Sequence, residues 1–183
     1  MAAAVALSGD EPWLDGLDDS KRLSGVRRED MHGLIVDSAL AFGVGYASHE
    51  EVDEVGIASA RRRAVVAAFR NCKEKLGRDA AAVVDDRRLA WARSDLGGGA
   101  SIFADKADQR SYSVAAASIV AKTLRDRHMR KMARMFTGYG FETNVGYGTP
   151  RHLEALRRLG PCPVHRRSFE PLRGMLAAQS ARV

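Results

Sequence analysis

The stretch from AFGVGYA (residues 41–47) to AAAVVD (residues 80–85) reads as strand, helix, strand. Ala41 to Ala47 alternates in period 2, the pattern of a strand with one buried face. Ser48, with Glu51 three residues on, forms a capping box at the head of the next helix. From about Ile57 to Leu76, the apolar residues Ala60, Ala64, Ala67, Ala68, Cys72 and Leu76 fall on one helical face, and Gly77 supplies the C-cap. Ala80 to Val84 is then a short buried strand ending at Asp85. Strands alternating with helices predict an α/β layer architecture.

The same pattern extends outward in both directions. Upstream, Ala2 to Leu7 is a small-apolar run suited to a fully buried strand, broken by Ser8 to Pro12, and Ser24 caps a helix running to about Ala39. Downstream, Leu96 to Gly99 is a glycine-rich loop expected to be mobile, and Ala100 to Ala104 is a candidate last strand. Val114 to Met135 is the longest helical pattern. Thr149, Pro150 and Gly160 then bracket another helix with a cap, a first-turn proline and a terminating glycine. No internal repeat or long linker appears, so residues 1–183 are expected to form one domain.

Lysine and arginine number 29 against 23 acidic residues, for a net charge of +6. The basic residues recur within patterned segments, Arg61 to Arg63, Arg125 to Lys131, Arg157–Arg158 and Arg166–Arg167, which predicts a folded basic face toward a polyanion and not a loose basic arm. The two cysteines, Cys72 and Cys162, have neither metal-ligand nor disulfide-framework spacing, so a reducing cytoplasm is expected. Met1 to Leu7 lacks a positive flank and is too short to span a bilayer, so no membrane partner is expected. No nucleophile elbow or glycine-rich phosphate loop is present, which sets aside serine and cysteine nucleophilic catalysis.

Two aspartates stand out by position. Asp85 directly follows a buried strand, and Asp108 lies in KADQR ahead of a long helix. Carboxylates at strand ends of an α/β sheet are well placed to hold hard divalent cations through oxygen. Pattern alone does not separate them from ordinary solvated turn residues. The helix YSVAAASIVAKTLRDRHM joins small residues, which permit close packing, to a basic face at Lys122, Arg125 and Arg127. Lys122 is placed to reach a phosphate, or the face is simply solvated. Tyr147 sits between glycines in NVGYGTP, either exposed to stack on a sugar or base or buried as a core tyrosine. His165, Arg166 and Arg167 suit either phosphate contact or attachment of the C-terminal segment.

Five blocks, GLDDSKRLS (Gly16 to Ser24), KAD (Lys106 to Asp108), SVAAASIVAKTLRD (Ser113 to Asp126), GYGF (Gly138 to Phe141) and GYGTPRHLEALRRLGPCPVHRRSF (Gly146 to Phe169), are similar in wording and order to ribonuclease HII. The resemblance covers nearly the whole chain. It implies a ribonuclease H-like fold, a mixed sheet flanked by helices, with a C-terminal helical extension. It also implies a cytoplasmic, monomeric endonuclease that cuts RNA in RNA–DNA hybrids and on the 5′ side of ribonucleotides embedded in duplex DNA. Two Mg²⁺ or Mn²⁺ ions bound by four carboxylates serve that chemistry. By resemblance, Asp85 matches the third carboxylate and Asp108 the fourth. Tyr147 matches the tyrosine that packs on the sugar at the RNA-to-DNA junction, and Lys21, Ser118 and Lys122 match positions near the scissile strand.

The chain departs from the family pattern in places. Asn144 and Val145 stand where many members have histidine and lysine, and Asp86 and Arg87 replace the commoner glycine-containing turn. MAAAVALS matches the family's second strand, so the first central strand and its D-E-A-G-R-G motif, with two carboxylates, are expected to be missing. Asp10 and Glu11 do not replace them, because Pro12, Trp13 and LDGLDDSK come at once. Two carboxylates hold two divalent ions poorly, and a sheet without its central strand leaves backbone groups unpaired. Impaired activity and weak folding are therefore expected, from an incomplete N-terminus. The alternative is a non-catalytic nucleic-acid-binding domain that keeps the basic face and Tyr147.

Overall fold

In a computed structural model, which describes residues 1–18, 20–97 and 99–180, the chain forms two compact units. The first comprises residues 1–47 and 61–124, and the second comprises residues 48–60 and those from 125 onward.

In the first unit β1 (Ala2–Ala6) pairs antiparallel with β2 (Ala41–Gly45), with Val5 opposite Phe42. Between them runs α1 (Gly25–Ser38), whose cap Ser24 accepts a hydrogen bond from the Arg27 amide. Helix α2 (His49–Leu76) starts earlier than its apolar pattern predicts, because Ser48 Oγ caps Glu51 N at 3.1 Å. It is interrupted at Gly56, where φ is 79°. The β2 glycines explain the AFGVG wording. A Cβ on Gly43 would stand 2.2 Å from the carbonyl oxygen of Ala68, and one on Gly45 only 1.8 Å from that of Ala64. The strand backbone therefore rests directly on the helix backbone, as only glycine permits.

The second pair is parallel. β3 (Ala82–Asp85) and β4 (Ser101–Ala104) align Val84 with Phe103 and Asp85 with Ala104. Ala82 and Val84 face a small core with Val66, Leu89 and Leu96. Val83 and Ile102, paired on the other face, remain 42% and 63% exposed. A 3-10 run, Arg87–Leu96, connects the strands. Sequence pattern did not predict it, although its buried residues Leu89, Ala92 and Leu96 recur at helical spacing.

Among the described residues the strands form two separate two-stranded sheets, and β1 and β3 each have one partner. The expectation that Ala2 to Leu7 is fully buried needs correction: within β1 only Val5 is buried and the other residues are half-buried. A strand with a neighbour on one side leaves much of its surface uncovered. Val5 packs with Met31 and Ile35 of α1 and with Ala116, Ile119 and Val120 of α3 (Tyr112–Met135).

The second unit holds the end of α3 together with α4 (Phe141–Asn144), α5 (Pro150–Leu159) and α6 (Leu172–Ser180) around Tyr139, Phe141, Leu156 and Leu172. The predicted bracket of α5 is present: Thr149 accepts from the His152 amide and Gly160 closes the helix at φ 73°. No described helix is long and apolar enough to cross a membrane.

Candidate functional site

Asp85 ends β3 on the same exposed face as Val83, at the carboxyl ends of two parallel strands. Its Oδ1 accepts a hydrogen bond from the Ala107 amide at 2.9 Å. Ala107 opens the 3-10 turn Ala107–Gln109, which carries the half-buried Asp108. This hydrogen bond places the turn that carries Asp108 beside Asp85. Alternation puts Asp85 on the open face, and the turn that Lys106 enters at φ 56° brings Asp108 back to the strand end.

Asp86, next in the chain, faces the other way and is buried. It occupies a backbone conformation that suits glycine, at φ 145°, which accords with the glycine-containing turn common in the resembled family. Its carboxylate is held by the guanidinium of Arg61, by Arg88 Nε at 3.0 Å and by the Arg88 amide at 2.9 Å. The Arg88 side chain bonded to it keeps its carboxyl below the usual aspartate range, against the opposing effect of burial. Arg87 pairs with Asp105 at 2.8 Å, and Arg87, Arg88 and Asp105 line an open depression of about 660 Å³. The Arg87 amide and side chain hold the Asp105 carboxyl low as well.

Asp85 and Asp108 are hard oxygen donors of the kind that Mg²⁺ or Mn²⁺ takes, one or two carboxylates being completed by water and substrate phosphate. By donor chemistry they suit such an ion. Among the described residues no group of three or more histidine, cysteine or acidic side chains gathers to hold a metal, so they supply fewer ligands than two ions require. Glu11 is not a further candidate. It is buried and accepts from the amides of Ser8 at 2.7 Å and Gly9 at 3.0 Å. Burial raises its pKa, but these bonds more than offset that, and the carboxyl lies below the usual range.

Of the other predicted residues in this unit, Ser118 Oγ lies 2.8 Å from the buried Ser20 Oγ, next in sequence to the exposed Lys21. Lys122, one helical turn beyond Ser118 on α3, is half-buried.

Tyr147 belongs to the second unit and is 58% exposed, so its ring is the open one of the two alternatives. Asn144 builds the turn beneath it. Its side-chain amide donates to Tyr139 O, its Oδ1 accepts from Gly146 N, and its carbonyl accepts from Tyr147 N, each at 2.8 Å. The departure from the family's histidine thus has a structural use here. Arg125, which sequence pattern placed only on a basic face, stacks its guanidinium 4.8 Å from the Tyr147 centroid. No local spacing signals this contact.

The His165–Arg167 cluster divides. His165 is buried beside Tyr139 and Phe141, and desolvation lowers its pKa. Arg166 covers Phe169, and the Arg167 and Ser168 amides donate to Asp53 at 2.7 and 2.9 Å. Attachment of the C-terminal segment is the role this geometry supports.

The chain is similar to known proteins. The family model described as ribonuclease HII matches residues 1–171. A ribonuclease HII of Geobacillus thermodenitrificans is 43% identical over 98% of this chain and 66% of its own length. One of Parvibaculum lavamentivorans is 44% identical over 89% of this chain and 58% of its own length. The chain therefore spans less than two thirds of the length of these curated relatives. Among solved structures, ribonuclease H2 of Pyrococcus horikoshii superimposes with a TM-score of 0.74 at 25% identity, covering 96% of this chain and 88% of that one. Ribonuclease HII of Archaeoglobus fulgidus, solved in complex with PCNA, gives 0.66 at 29% identity, with 90% and 83% covered. Sequence blocks, fold and matched length agree, and the chain belongs to the ribonuclease HII family.

Proposed function

We propose that this chain carries part of a metal-dependent endonuclease that cuts RNA in RNA–DNA hybrids and on the 5′ side of ribonucleotides embedded in duplex DNA. It would leave a 3′-hydroxyl and a 5′-phosphate and work as a cytoplasmic monomer. The observation that carries this reading is the Asp85–Ala107 hydrogen bond, which joins Asp85 to the turn of Asp108 at the carboxyl ends of parallel strands. Mg²⁺ or Mn²⁺ held there would supply Lewis acidity to a phosphodiester. Asp85 and Asp108 hold the cation, and the ammonium groups of Lys21 and Lys122 sit near the scissile strand. Ser118 takes part through its hydroxyl, and the open Tyr147 ring packs on the sugar where ribose is followed by deoxyribose.

The direct test is nicking of a labelled DNA duplex containing one ribonucleotide, in Mg²⁺ and in Mn²⁺. Any nicking is expected on the 5′ side of the ribonucleotide and weak, since two carboxylates hold two divalent ions poorly. Asp85→Asn should reduce it at least about 100-fold, since even outer partners of a metal ligand are typically worth 10–100-fold. Undiminished nicking in the variant would remove Asp85 from the reaction. A second reading is a nucleic-acid-binding domain without catalysis, in keeping with the finding that among the described residues no group of three or more histidine, cysteine or acidic side chains gathers to hold a metal. Salt-sensitive hybrid binding without nicking, indifferent to chelator and to Asp85→Asn, would select it.

A further inference from the structure

We propose that Arg125 is the positioning residue for Tyr147, fixing the angle of the ring and thereby setting how strongly the chain prefers duplexes that contain a ribonucleotide. The proposal rests on the reading of Tyr147 as the group that meets the sugar.

The turn that carries Tyr147 is conformationally demanding. Val145 lies at φ 42° and Gly146 at φ 82°. A β-branched residue in the left-handed region is costly, and such a conformation persists only where its surroundings over-determine it. Three constraints do so here. Asn144 ties the turn to Tyr139 and to Gly146. Gly146 lies against Met129 of α3, whose Cε would stand 3.2 Å from a Cβ at that position. Arg125, one helical turn before Met129, donates from Nη2 to the carbonyl oxygen of Val145 at 3.0 Å.

The same guanidinium then covers the Tyr147 ring at 4.8 Å from its centroid, within the range of a cation–π contact. Arg125 thus grips both the backbone that launches the tyrosine and the ring itself. More than half of Tyr147 stays open, which leaves surface for a sugar or base. A lysine carries the charge but not the planar fork needed for both contacts.

A second observation separates this arrangement from a solvated basic face. Arg125 Nη1 is buried and has no hydrogen-bond partner among the described residues. Keeping a charged donor from water without a partner is destabilising. An arginine serving only solubility would extend into solvent instead.

The test measures binding of the full chain, by fluorescence anisotropy, to two duplexes of one sequence, all-DNA and DNA with a single ribonucleotide. The readout is the ratio of the two affinities, which general loss of charge or stability does not move. Tyr147→Ala should lower the ratio about 5-fold or more, the loss of one aromatic stack. Arg125→Gln should lower it about 2- to 5-fold, the size of one exposed cation–π contact, and add little in the Tyr147→Ala background. Arg125→Lys, which keeps the charge and is the milder change should glutamine disturb folding, should lower it similarly. If Tyr147→Ala lowers the ratio while Arg125→Lys and Arg125→Gln leave it unchanged, the positioning role is overturned and the reading of Tyr147 stands. If the native chain shows no preference, or Tyr147→Ala leaves it intact, the reading of Tyr147 fails and the role of Arg125 falls with it.

Discussion

β1 and β2 meet antiparallel and seat two glycines on the backbone of α2, whereas β3 and β4 run parallel and leave Val83 and Ile102 exposed. The first sheet is placed by close backbone approach and by the core around Ile35 and Ile119. The second has a smaller core and is braced by charge: Arg61 and Arg88 on Asp86, Arg62 on Asp95, and Arg87 on Asp105. The carboxylate at the candidate centre belongs to the second sheet. A strand whose outer face is open can present Asp85, and the neighbouring ion pairs stabilise what burial does not.

The largest effect is expected where backbones touch. Gly45→Val forces a side chain into the Ala64 carbonyl and should cost about 3 kcal/mol or more, above the usual range for overpacking, read as a lower urea midpoint. Near-native stability would break the contrast, because β2 would then not depend on close approach. Asp86→Ala should cost less, about 1–2 kcal/mol, since its arginine partners are partly solvated.

Acid sharpens the same contrast. The Asp86 carboxyl is held low chiefly by Arg88, so its folded pKa lies below the unfolded value. Its stabilisation is therefore fully present above an ordinary aspartate pKa of about 4 and is lost as pH falls through the folded value. Denaturation midpoints recorded from pH 5 downward should fall less steeply in Asp86→Ala. Added salt should weaken the arginine clamp, while the amide bonds that hold Glu11 beside β1 should respond little. Ile102→Thr should be the mildest change, within about 0.5 kcal/mol, because that side chain is already exposed and threonine suits a strand. A cost several times larger would mean that this face is not open.

The features legible in the sequence were those with local causes. Ser24, Thr149 and Gly160 delimit helices because caps act within one turn, and AAAVVD announced a strand with an acid at its end. The pairing of Asp85 with the Asp108 turn came through family wording, since nothing in the spacing predicts the Ala107 bond. Non-local contacts were not legible. Arg125 and Tyr147 meet through a turn shaped by Asn144, and His165 enters an aromatic core despite its basic neighbours. The Arg87–Leu96 run places Leu89, Ala92 and Leu96 at helical spacing, but charged residues between them dilute the pattern and it is not predicted.

The hydrogen bonds that the Arg167 and Ser168 amides donate to Asp53 span 114 and 115 residues. Residues 48–60 belong to the second unit yet precede most of the first in the chain. During synthesis this short segment must therefore wait, without its partners, while residues 61–124 emerge and are free to fold ahead of it. Contacts of such long separation close late because the intervening loop must first be ordered. The Asp53 carboxylate acts in this sense as a completion signal, satisfied only after residue 168 has been made.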